Sequence, residues 1–326
     1  MRSLKESILS TTKVGRFDEW NVFKQEHAHP KDNVELKATV RKAMELKGNN
    51  VDLNWIDTSK ILDMGFIFDE TEFNGDVSKW DVSNVTNMAH IFCRSKFNGD
   101  VSKWDVSKVM NMDHMFAYTP FNGDVSKWDV SHVKTMTDIF RETSFNGDIS
   151  KWDVSKVMFM DHMFDGSKFN GDISKWDVSN VKWMDFMFSG TEFNGDISNW
   201  DVSSVTSMHR MFYKSKFNKD ISKWNVGKVT DMSWMFGLSD FNGDLANWDV
   251  SNVKYMPNMF RNSKFNGDIS KWNVNKVLDM DFMFYKSAFN GDISDWDAKS
   301  AKTKYRVHMF DHSPLEKNPP KWYKKK

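Results

Sequence analysis

FNGDVSKWDVSNVTNMAHIFCRSK, residues 73–96, is one copy of a phrase that this chain repeats ten times. Its opening Phe recurs at Phe73, Phe97, Phe121, Phe145, Phe169, Phe193, Phe217, Phe241, Phe265 and Phe289, each 24 residues after the last, with no insertion. A fixed period in the range of roughly 20–50 residues predicts a solenoid, because a single unit that small cannot bury its apolar face alone.

Within the copy, Asn74-Gly75 is a turn signal, since both residues tolerate positive φ. Trp80 and Val82 are two apart and so share one face of a short strand, with Lys79, Asp81 and Ser83 on the other. Val85 and Met88 carry the chain round a corner, and Asn87 is placed to cap a short helical turn from Met88 to about Phe92. Pro257 fits the first turn of such a helix, where its missing N–H has no partner. The expected fold class is therefore an α/β repeat solenoid with one short parallel strand and one short helical turn per 24-residue unit. Stacked units turn each interior position into a column of like residues: Trp80 to Trp296, Met88 to Met280, and two columns of Phe.

The ends of the array read differently. Asp32 with Glu35 starts a helix of capping-box type over about 33–47, Gly48 stops it, and it covers the first unit. Residues 52–68 are a worn copy in which Ile56 takes the Trp place. Residues 298–310 carry two extra residues before Met309-Phe310 and read as the closing cap. The division expected is an arm and capping helix over 1–50, the repeats over 51–310, and a basic tail over 311–326 in which Trp322 can fold back. Ser3 to Leu9 can form an amphipathic turn or two.

Charge and composition exclude several function classes. Lys plus Arg and Asp plus Glu are each 45, so no net field recruits nucleic acid or an anionic membrane. Cys93 is the one cysteine, so no intramolecular disulfide forms. The opening MRSLKESILSTTKVGRFDEW lacks the apolar core of a secretory signal, and nowhere is there an apolar run long enough to span a bilayer. A cytoplasmic or particle-associated location is the expectation.

The string FNGDISKWDVSNV at residues 169–181, with Met184, Met187 and Phe188 after it, resembles the bacterial surface-protein repeat of unknown function found in mycoplasma-type lipoproteins. It is also similar to the BspA-like leucine-rich repeat, with Ile173, Trp176, Val178, Val181, Met184, Met187 and Phe188 at that repeat's apolar positions. The resemblance covers residues 52–310 and implies a leucine-rich-repeat-like right-handed coil used for attachment or partner binding. Members of the family are usually exported and anchored, whereas this chain shows no export signal and no lipobox cysteine near its start. The opening MRSLKESIL resembles leaders on some proteins encoded by gut bacteriophages.

Each column carries its own candidate chemistry. The Asp after each Gly, from Asp76 to Asp292, forms a column that is read as capping its own turn, with stacked-carboxylate calcium binding as the alternative. Lys103, Lys127 and Lys151 beside Asp105, Asp129 and Asp153 form a neutral lattice on the strand face, either simply solvated or read by a ligand. Phe159, Trp183, Phe186, Trp234, Tyr255 and Phe282 fall at two outer places that hold polar residues in other copies. They form either an aromatic contact strip or packing between turns. His90, His114 and His162 share one of those places and are read as free surface histidines rather than metal ligands. Nothing reads as catalytic: there is no phosphate loop, no Cys/His metal cluster and no cofactor motif. The expected function is a non-enzymatic scaffold binding a protein or glycan partner, with a self-associating structural rod as the alternative.

Overall fold

A computed structural model of the chain describes residues 19–324. The Ser3 to Leu9 turn, most of the arm and the final Lys325-Lys326 lie outside the described residues. The 24-residue units stack one on the next, but the α/β coil expected from the sequence is not what they form. Among the described residues there is no extended strand. Parallel pairing is reduced to isolated single-residue bridges, such as Asn87 with Asn111 and Asn111 with Thr135. No α-helix occurs inside the repeats, and the leucine-rich-repeat-like alternation of strand and helical turn is absent with it.

The physical reason lies in the segment after the bridge. The N–H groups of Ile91, Cys93 and Ser95 donate to the carbonyls of Met88, His90 and Phe92, giving three interlocking i→i+3 turns. His90 has φ 58° and Arg94 φ 54°. A left-handed residue breaks the right-handed i→i−4 ladder that a helix needs. It also turns alternate N–H groups along the stack. Met88, His90, Phe92 and Arg94 donate to the carbonyls of Asn111, Asp113, Met115 and Ala117 in the next rung, at 2.9, 2.8, 3.1 and 2.8 Å. Asn87 makes no helix cap; its Oδ1 accepts the N–H of Ala89 at 3.1 Å. At that place the N–H faces outward to a side chain in other rungs, as at Asp113 and Ser233. Pro257 is accommodated because no stacking bond is lost there.

The supposed strand is a pair of β-turns. Trp80 N–H donates to Val77 O at 3.1 Å and Val85 N–H to Val82 O at 2.9 Å. Alternation survives only as burial, with Trp80 and Val82 inside and Lys79 and Asp81 outside. Asn74-Gly75 has no positive φ either. Asn74 Oδ1 accepts the N–H of Asn98 at 3.0 Å, the first step of an asparagine ladder that runs to Asn290. The glycine is needed for closeness: a Cβ on Gly99 would sit 2.7 Å from Cε2 of Phe97, whose ring folds over it.

The core is the set of interior columns. Each indole N–H of the interior column, from Trp80 to Trp296, donates to a carbonyl of the preceding rung, as Trp104 does to Val77 at 3.1 Å, so that column leaves none of its indole donors open. The two Phe columns lie against each other, with Phe92 and Phe97 ring centres 3.7 Å apart. Burial of each such ring stabilises by ~1.5–3 kcal/mol, but only when both neighbouring rungs are present.

Both ends are finished by side chains. The helix Asn33–Lys47 begins at Asp32, whose side chain accepts Glu35 N–H, and ends at Gly48, as its sequence predicts. Its Leu36, Val40 and Ala43 are buried on the first rung. Asn33 Nδ2 donates to the carbonyls of Asp63 and Gly65, which have no earlier rung to receive from. Ahead of it, residues 19–27 are helical, and Trp20 meets Trp55 edge-on at 5.7 Å. At the far end the two extra residues are taken up by a 3₁₀ turn, Thr303–Tyr305. Trp322 folds back over Trp296 at 6.3 Å, and Glu316 Oε2 accepts the N–H of His312.

Candidate partner-binding face

The rungs differ from one another mainly along the bridge-and-turn segment, equivalent to residues 87–94. The bridge place carries Asn87, Asn111, Thr135, Phe159, Trp183, Ser207, Asp231, Tyr255 and Asp279. Three places on is the first left-handed residue of each rung: Phe66, His90, His114, Asp138, His162, Phe186, Arg210, Trp234, Asn258, Phe282 and His308. A second left-handed place follows four residues later, from Glu70 to His312, with Gly166 and Gly190 among them.

The six aromatic candidates divide between two of these columns. Phe159, Trp183 and Tyr255 stand at the bridge place, and Phe186, Trp234 and Phe282 at the first left-handed place. Phe159 and Trp183 touch, with ring centres 4.9 Å apart. Trp183 is 48% exposed and Tyr255 43%, the most open rings of the six. Tyr255 is separated from the first pair by Ser207 and Asp231.

Phe186, Trp234 and Phe282 are on alternate rungs, and arginines fill the gaps. The Arg210 guanidinium lies 5.2 Å from the Phe186 ring centre and 5.4 Å from that of Trp234. Arg261 lies 5.3 Å from Trp234, 5.2 Å from Phe282 and 4.8 Å from Tyr285. His162 stacks on Phe186 at 4.2 Å, and His308 on Phe282 at 5.0 Å. The result is a column of alternating rings and cations, of the kind that cation–π attraction stabilises. Sequence reasoning missed Arg210 and Arg261. Counting in steps of 24 along neighbouring places would have found them.

Towards the N-terminal end the same face is ionic. His114 Nε2 is 3.5 Å from Asp138, Arg141 Nη1 is 3.0 Å from Asp138, and Arg141 Nε is 3.2 Å from Asp165. His162 Nδ1 closes the chain on Asp165 at 3.0 Å. Both carboxylates are buried, so His114 and His162 are engaged rather than free. His90 stacks on His114 at 4.2 Å, and its pKa is lowered, by burial first and by the neighbouring imidazole second. Partly buried acids continue the face: burial and then Asp185 push the Asp161 carboxyl up to about 6.

The charged columns of the first half of each copy serve the turns. Asp76 and Asp100 accept the N–H of Ser78 and Ser102, each at 2.9 Å. Asp105, Asp129 and Asp153 do the same for Ser107, Ser131 and Ser155, at 3.1, 3.0 and 3.0 Å. Such bonds hold the carboxylates ionised: Asp105 is lowered first by the Ser107 hydroxyl and Asp100 first by the Ser102 N–H. Lys103, Lys127 and Lys151 are exposed and act on Asp100, Asp124 and Asp148 only through their charge.

Among the described residues no helix is long and apolar enough to cross a membrane. A family model described as Mycoplasma protein of unknown function, DUF285, matches residues 34–144, 117–218 and 214–322. No curated protein and no solved structure matches the chain.

Proposed function

The chain belongs to the DUF285 family of mycoplasma proteins of unknown function, whose model spans it from residue 34 to 322, and on that footing we propose a non-enzymatic binding scaffold for a protein partner. The observation that carries this reading is the aromatic and guanidinium column on the one face where the rungs differ. Trp, Tyr and Arg are the residues that dominate the energetics of protein interfaces. The invariant interior fixes their spacing rung by rung, and the exposed rings of Trp183 and Tyr255 flank the column.

A glycan is the less favoured ligand. Sugar rings pack flat on open aromatic faces, and here the faces of Phe186, Trp234 and Phe282 are taken by His162, Arg210, Arg261 and His308. What the column offers outward is ring edges and guanidinium N–H groups, which suit carboxylates and backbone carbonyls of a polypeptide.

The test replaces Trp183 with Ser, and Phe186 and Trp234 with Asn, which suits a left-handed backbone and fills that place at Asn258. A partner captured from the producing cell and identified by mass spectrometry is purified and titrated against both proteins. The proposal predicts at least a hundredfold loss of affinity in the variant with an unchanged circular dichroism spectrum. Equal affinity, or a change only in oligomer size by light scattering, sinks it and favours the self-associating rod.

A further inference from the structure

Asp69, His90 and Cys93 bring a carboxylate oxygen, an imidazole nitrogen and a sulfur within 4.8 Å of one another. The convergence follows from the architecture. His90 and Cys93 are the two ends of one i→i+3 turn, with Cys93 N–H donating to His90 O at 3.2 Å. Asp69 occupies the place of Cys93 one rung earlier, 24 residues back, and the stacking bonds put it directly alongside. The combination occurs in this rung alone: the place of Cys93 holds Ala117, Arg141, Asp165 and Ser189 in the rungs that follow.

Three further observations point to a ligand. Asp69 Oδ1 is buried with no hydrogen-bond partner, an arrangement that costs stability unless something positive faces it. His90 Nδ1 stands 3.9 Å from that oxygen, too far for a hydrogen bond. Two ligands of one tetrahedral ion, at bond lengths of ~2.0–2.3 Å, are roughly 3.3–3.6 Å apart, so a small inward movement completes the geometry. The His90 ring is also held in place, sandwiched between Phe66 at 4.4 Å and His114 at 4.2 Å.

We propose that Asp69, His90 and Cys93 bind one zinc ion or a similar borderline divalent cation. The donor set of thiolate, imidazole and carboxylate matches zinc rather than the oxygen-preferring calcium or magnesium. Side chains of His90 and Asp69 keep 27% and 22% exposure, so water can supply the fourth ligand. Binding converts the Cys93 thiol to a thiolate, and its proton leaves to the buffer. Without a metal that thiol is held neutral, pushed up to about 12 by burial and then by Asp69.

The experiment uses the full chain, stripped with chelator and titrated with Co2+ as the spectroscopic stand-in for Zn2+. The expected result is one Co2+ per chain, with a thiolate-to-cobalt charge-transfer band, release of about one proton at neutral pH, and displacement by one equivalent of Zn2+. Substitutions are chosen from residues that other rungs carry at the same places: Cys93→Ala, His90→Asn and Asp69→Ser. Cys93→Ala is expected to abolish the band, and the other two to weaken Co2+ binding at least tenfold. His132→Asn, two rungs away at a place where Asn84 and Asn180 stand, is expected to leave binding within twofold. Absence of the band at millimolar Co2+, or its persistence in Cys93→Ala, overturns the proposal.

Discussion

The indole N–H of Trp322 donates to the carbonyl of Ile293 at 2.8 Å, the bond that each Trp of the interior column makes to the rung before it. Trp322 is 26 residues beyond Trp296 and outside the repeat, yet it finishes the tryptophan column. Ile293 O also accepts Trp296 N–H at 3.2 Å, so removing the Trp322 bond leaves no bare carbonyl. Trp322→Phe is expected to cost about 0.5–1.5 kcal/mol. Trp322→Ala, which also removes the stacked ring, is expected to cost about 2–4 kcal/mol. Because rungs couple only to neighbours, the loss should localise: hydrogen exchange should accelerate over residues 289–311 while the central rungs keep their protection. Uniform acceleration along the whole chain would contradict this.

Leu238 sits at the second left-handed place with φ 58°, and it is 40% exposed. Holding a branched side chain there costs about 1–2 kcal/mol. Leu238→Asn, the residue that Asn262 supplies one rung later, is expected to raise stability by about 1 kcal/mol in urea melts. Leu238→Val should lower it by a similar amount, since branching at Cβ worsens the clash. The opposite order of midpoints would refute the strain argument.

Asp161 gives a pH test. Its carboxyl is raised from 3.8 to about 6, by burial first and by Asp185 second. A group whose folded pKa exceeds its unfolded value stabilises fully below the unfolded value and loses that contribution as pH rises through the folded one. At pH 7 the charged Asp161 therefore penalises the fold, and below about pH 4 it does not. Asp161→Asn keeps the acceptor for Asp185 N–H, now at 3.1 Å, and removes the charge. Stability at pH 7 should rise by about 1–2 kcal/mol relative to the wild type, with the gap closing as the pH falls from 6 to 4. A gap independent of pH would show that burial of the charge is not the cause.

Gly147 tests the closeness of ring and backbone. A Cβ there would stand 2.8 Å from Cε2 and 3.0 Å from Cζ of Phe145. The ring cannot swing aside, because it stacks on Phe140 at 3.8 Å. Gly147→Ala is expected to cost about 1–3 kcal/mol, read from the denaturation midpoint. A neutral result would mean that the Phe column is looser than a 3.8 Å ring stack allows.

The interior was legible in the sequence because a strict 24-residue period forces like residues into columns, and Trp80, Met88, Phe92 and their equivalents are all buried. The helix Asn33–Lys47 was legible because Asp32, Glu35 and Gly48 are local signals that act where they are written. The backbone of the rung was not. Left-handed φ is ordinarily announced by Gly or Asn, and here it falls on His90, Phe186 and Trp234. Those residues adopt it because their N–H groups reach carbonyls 23 residues away, a bond that no local pattern displays. The outer places of the aromatic candidates were visible as variation against a fixed frame. Arg210 stands in the same column as Phe186 and Trp234 and could be read with them; Arg261 and the trio Asp69, His90 and Cys93 were not visible, because each joins two columns, and reading down single columns hides neighbours.

Asn33 and Glu316 finish the two ends with side chains of opposite character, donors for exposed carbonyls at one end and an acceptor for an exposed N–H at the other. Neither cap touches the middle of the array. Duplication or deletion of one 24-residue block would leave both terminal seals intact and shift everything beyond it by one step. The protein is thus a ruler whose length can change without redesign of its ends, and the reach of its variable face is set by counting blocks.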